Sequence, residues 1–144
     1  KLDQSGLLDN TVVVFYGDHE GVHKFYQDEV DQVKPSQDWW LNNHAEVPLI
    51  IYQKGLKGEE ITTIGGEIDI LPTVSYLMGI DDDAVAGTAM GRNLLKTNKN
   101  YAILGNGQPT GRIYSAEESQ NLTKGIEFAD KIIQSNFFKD LESK

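Results

Sequence analysis

The run Thr11-Val12-Val13-Val14-Phe15-Tyr16 constrains the fold more than any other feature of this sequence. It is β-branched and aromatic throughout, and it shows no polar alternation. A run of this kind reads as a strand buried on both faces, and such strands belong to parallel sheets covered by helices. Asp9-Asn10 supplies a turn before it, and Gly17-Asp18-His19 follows at once. Polar residues at the carboxyl end of a buried strand stand where open α/β sheets place their ligands. A carboxylate and an imidazole there suit a divalent cation of borderline hardness, and Gly17 permits a sharp turn. Taken alone, the tripeptide also fits a surface turn.

The remaining chain predicts an α/β order. Residues 20–43 are polar and aromatic, with Tyr26, Pro35, Trp39 and Trp40, and read as a long, partly helical excursion. Val47-Pro48-Leu49-Ile50-Ile51-Tyr52 is a second buried strand, with Pro48 tolerated at its start. A short strand is expected at 59–64. A helix is expected at 69–78, with Asp69 as N-cap, Pro72 in the first turn and Gly79 just past the end. Asp81 to Leu95 reads as loop, and Asp81-Asp82-Asp83 as a solvated turn lacking the glycine and distal glutamate of an EF-hand. Tyr101–Leu104 and Arg112–Tyr114 predict a hairpin around Gly105-Asn106-Gly107. A final helix over 120–141 turns Leu122, Ile126, Ala129, Ile132, Ile133 and Phe137 to one face.

Composition narrows the function classes. The sequence has 144 residues with 22 acidic against 13 basic side chains, a formal net charge of -9. That balance argues against a nucleic-acid partner. The absence of cysteine excludes thiolate metal sites, disulfides and a cysteine nucleophile. No apolar run reaches the roughly 20 residues that a membrane helix needs. Few partner strands are available for a buried parallel strand, so part of the sheet is expected to lie outside this sequence. An unpaired edge would then favour self-association.

Val13-Val14-Phe15-Tyr16-Gly17-Asp18-His19-Glu20-Gly21 resembles the late metal-binding motif of the alkaline phosphatase superfamily. Its nearest likeness is the sulfatase-type branch that holds lipoteichoic acid synthases and phosphoglycerol transferases. Val47–Tyr52 is similar to that family's next strand. Gly65-Gly66-Glu67-Ile68-Asp69-Ile70-Leu71-Pro72-Thr73, with Gly79-Ile80, resembles the helix after it. Three motifs in order are far more specific than one.

The resemblance implies the C-terminal part of an alkaline-phosphatase-like sandwich: a central, mostly parallel sheet flanked by helices, ending in a small hairpin and a C-terminal helix. Residues 1–95 would be the C-terminal half of the catalytic domain, and 96–144 its closing hairpin and helix. It implies that Asp18 and His19 are two ligands of one Mn²⁺ or Mg²⁺. It places the nucleophile and the remaining ligands upstream, so this chain alone would hold no catalytic nucleophile and be inactive.

His23 and His44 would contact the substrate's anionic group; the alternative for each is an exposed histidine. The substrate would be an anionic phosphoglycerol lipid or a sulfate or phosphate ester, attacked through a covalent intermediate. The runner-up activity is sulfuric ester hydrolysis, and a reading of another class is a non-catalytic binding module. The implied location is the outer face of the cell membrane, with the anchor and the missing N-terminal segment outside this sequence.

Overall fold

A computed structural model describes residues 1–19, 22, 24–33 and 46–142. It divides into two compact units, residues 1–58 and 59–144.

The first unit is built on β1 (Val12–Tyr16), with a 3-10 turn (Leu7–Asn10) before it. β1 pairs antiparallel with β2 (Leu49–Gln53), from Val12 opposite Gln53 to Tyr16 opposite Leu49. Lys54, just past β2, holds Asp3 and Asp9 at 2.7 and 2.6 Å and so ties the N-terminal turn to the sheet. Its ammonium is held above the ordinary lysine range by the hydrogen bond to Asp3, then that to Asp9. A 3-10 turn (Lys24–Tyr26) leads into α1 (Gln27–Gln32), which buries Val30. Part of the expected excursion is therefore helical.

The second unit opens with a 3-10 turn (Glu67–Asp69) that runs into α2 (Ile70–Leu77). Gly79 ends α2 with φ 77°. Its N–H donates to the Tyr76 carbonyl and that of Ile80 to Ser75, the paired bonds of a Schellman stop. The expected loop contains α3 (Asp82–Ala86). β3 (Asn100–Ile103) and β4 (Pro109–Arg112) form the expected antiparallel hairpin. Its turn is local chemistry: the Gly107 N–H donates to Leu104 O at 2.8 Å, and Gly107 takes φ 82°, which a side chain would resist. The final helix is two helices, α4 (Ala116–Gln134) and α5 (Phe137–Glu142). Asn136, in the left-handed region at φ 53°, separates them, because asparagine tolerates a conformation that halts a helix.

Four expectations are corrected. Among the described residues both sheets are two-stranded and antiparallel, and no central parallel sheet forms. Phe15 and Tyr16 are exposed, so β1 is not buried on both faces. An unalternating apolar run encodes affinity for cover but not the direction of its partner strand. No strand forms at 59–64. Asp69 does not cap α2 through its side chain, since that carboxylate is engaged elsewhere.

Candidate metal centre

Asp18 and His19 lie directly beyond the last rung of β1. The Gly17 N–H donates to Pro48 O at 3.1 Å and carries the ladder one residue past Tyr16. A Cβ on Gly17 would stand 2.9 Å from Val47 Cβ, so a glycine is needed where the two chains approach. Asp18 Oδ1 and His19 Nε2 are 3.6 Å apart, with 84% and 67% of their side chains exposed. Two donors on one divalent ion at about 2.0–2.2 Å each are separated by at most about 4.4 Å. The pair therefore suits one cation, with one hard oxygen and one borderline nitrogen. Among the described residues no three His, Cys, Asp or Glu side chains gather to hold a metal. His23 and His44 lie outside the described residues, as do Glu20, Trp39 and Trp40.

Asp69 has the opposite surroundings. It is 1% exposed. One carboxylate oxygen accepts from the Gly66 N–H at 2.9 Å and from Arg92 Nη2 at 3.2 Å; the other accepts from the Arg92 N–H at 2.6 Å. Arg92 also donates to Tyr101 O at 2.7 Å and lies 4.2 Å from the Tyr101 ring centroid. Thr73 Oγ1 donates to Asp69 O and accepts the Leu94 N–H at 3.0 Å. Surrounded by N–H donors and a guanidinium, this carboxylate is a structural anchor and a poor cation ligand. Its partner Arg92 lies 23 residues along the chain, beyond any local sequence signal.

Two further charged pairs were not visible in the sequence. Asp82 holds Lys96 at 2.9 Å, which raises the Lys96 ammonium and makes the acidic run partly paired. Glu118 holds Lys99 at 2.6 Å and accepts the Tyr114 N–H at 2.9 Å. The Lys99 hydrogen bond, then the Tyr114 N–H, keeps the Glu118 carboxyl below the usual carboxylate range, and the same bond raises Lys99. Ser115 caps α4 by accepting the Glu118 N–H, and Ser-x-x-Glu is the signal that could have located this end.

Fold and site together define a mixed α/β chain that presents a carboxylate–imidazole pair at a strand end. The family model described as Sulfatase matches residues 1–80. The chain belongs to the sulfatase family, in its lipoteichoic-acid-synthase-like branch. It is 39% identical over 83 residues to lipoteichoic acid synthase 1 of Bacillus subtilis, covering 56% of this chain and 13% of that protein. It is 26% identical over 169 positions to lipoteichoic acid synthase 2 of the same organism, covering 99% and 26%. It is 27% identical over 157 positions to the lipoteichoic acid synthase of Staphylococcus saprophyticus, covering 99% and 23%. The chain thus spans about a quarter or less of the length of these relatives. No solved structure matches it. Among the described residues no helix is long and apolar enough to cross a membrane.

Proposed function

We propose that this chain is the metal-binding part of a phosphoglycerol transferase, in which Asp18 and His19 hold one Mn²⁺ or Mg²⁺. The observation that carries the reading is the exposed pair, 3.6 Å apart at the end of β1. It is supported by the sulfatase-family match and by relatives named lipoteichoic acid synthases.

In this reading Asp18 supplies one anionic oxygen and His19 one neutral nitrogen. The remaining ligands come from outside the described residues. When bound, the cation supplies Lewis acidity, offsetting negative charge on phosphoryl oxygens and making a hydroxyl a better nucleophile. That nucleophile is not assigned to any residue of this sequence. His23 and His44 hydrogen-bond the anionic group of the substrate, a phosphoglycerol lipid headgroup. The nucleophile's oxygen displaces the lipid alcohol from phosphorus, giving a covalent phosphoglycerol intermediate; an acceptor alcohol then displaces the nucleophile and takes the group, outside the cell at the membrane surface. A second reading is sulfuric ester hydrolysis, the activity that the matching family's description names.

Calorimetric titration of Mn²⁺ tests the site. Micromolar binding is expected, and it should vanish in an Asp18→Ala, His19→Ala variant. Binding unchanged in that variant would reject the assignment. With Mn²⁺ present, glycerol 1-phosphate should bind in preference to sulfate; the reverse order would favour the hydrolase.

A further inference from the structure

We propose that Gly17 and Val47 form a positioning contact that sets where Asp18 and His19 stand relative to the start of β2. The inference rests on the cation reading above. Cross-strand Cβ atoms ordinarily lie about 4.5–5.5 Å apart. A Cβ at Gly17 would lie 2.9 Å from Val47 Cβ, 3.2 Å from Val47 Cγ1 and 3.3 Å from Pro48 Cδ. The half-buried Val47 side chain therefore occupies the space that a side chain at position 17 would need.

The two sides of this contact do not yield equally. Pro48 has a ring-locked φ, and Leu49 after it is fixed in the ladder opposite Tyr16. On the other side the chain turns immediately, and Asp18 is exposed. A methyl group at position 17 would therefore displace residues 17–19 rather than the start of β2. Metal ligands must be held within about 0.5 Å of their productive places, so such a shift disturbs the pair while the sheet persists. Gly17 and Val47 touch no ligand; they act through Asp18 and His19.

The test uses the 144-residue chain, with Mn²⁺ calorimetry and, without metal, the His19 imidazole resonances. Backbone amide spectra report whether β1 and β2 remain paired. Gly17→Ala should weaken Mn²⁺ binding about tenfold or more, as loss of a supporting partner does elsewhere. It should also shift the His19 resonances. Gly17→Ala with Val47→Gly should restore both, which a merely destabilising pair of changes would not do. If Gly17→Ala disrupts the sheet, Val47→Ala serves instead. It removes only the Cγ atoms and should move the same resonances and weaken binding about threefold.

Wild-type affinity and unshifted resonances in Gly17→Ala would overturn the inference and leave the cation reading intact. Wild-type protein with no binding that depends on Asp18 and His19 would overturn the cation reading. The positioning claim would then be decided by the resonances: shift and rescue support it, and no shift overturns it.

Discussion

Asp18 and Asp69 are two carboxylates near helix or strand ends, and the chain treats them in opposite ways. Asp69 is 1% exposed, and both its oxygens accept N–H donors, one of them from a guanidinium. Asp18 is exposed and faces an imidazole. A carboxylate offers about four lone-pair sites, and what fills them decides its use. At Asp69 the protein fills them itself, joining the start of α2 to the segment that enters β3. At Asp18 no backbone N–H among the described residues does so, which leaves capacity for a ligand from outside. What surrounds a carboxylate, more than the motif that carries it, thus decides whether its lone pairs are spent inside the protein or left facing solvent.

The largest stability effect is expected at Asp69. Asp69→Ala leaves the half-buried Arg92 without its partner, and breaking such a pair costs about 3 kcal/mol or more. Urea unfolding measures it, and a loss below about 1 kcal/mol would show that the cluster is no anchor. Gly91→Ala comes next, because its Cβ would run into the Ile68 carbonyl oxygen. Overpacking of this kind costs about 1–3 kcal/mol by the same measurement.

A smaller effect, dependent on pH, is expected at Glu118. Its folded-state pKa is lowered by Lys99 first and by the Tyr114 N–H second. The stabilisation is therefore present above the ordinary carboxylate value and is lost as pH falls through the lowered one. The Lys99 ammonium is raised, so its share is present below the ordinary lysine value and fades as pH rises through the raised one. Melting temperatures of wild type and Glu118→Gln should differ most between these limits and converge in acid. A constant difference at all pH values would mean that the charge is not what matters. Smallest of all is Asp18→Ala, expected within about 0.5 kcal/mol of wild type in urea, because the residue is exposed. A large loss there would erase the contrast with Asp69.

What could be read from the sequence was local. The Gly105-Asn106-Gly107 turn, the stop at Gly79 and the strand of Val12 to Tyr16 each depend on neighbouring residues, and each formed. The Gly-Asp-His motif marked the strand end where the exposed pair stands. What could not be read depends on distance. The antiparallel partner of β1 lies more than 30 residues away, and apolar content does not specify strand direction. Asp69 carries an N-cap signature, yet Arg92 claims its carboxylate. The break at Asn136 was hidden because the apolar spacing continues across it, while asparagine's tolerance of φ 53° goes unmarked.

The division of labour between the two carboxylates is tested most directly by thermal unfolding with and without Mn²⁺. A ligand that binds only the folded state stabilises by about 2.7 kcal/mol at a hundredfold excess over Kd. Wild-type protein should melt at a higher temperature as Mn²⁺ is raised, and the Asp18→Ala, His19→Ala variant should not respond while melting near the metal-free wild type. An equal rise in both proteins would place the cation elsewhere and contradict the role given to Asp18 and His19.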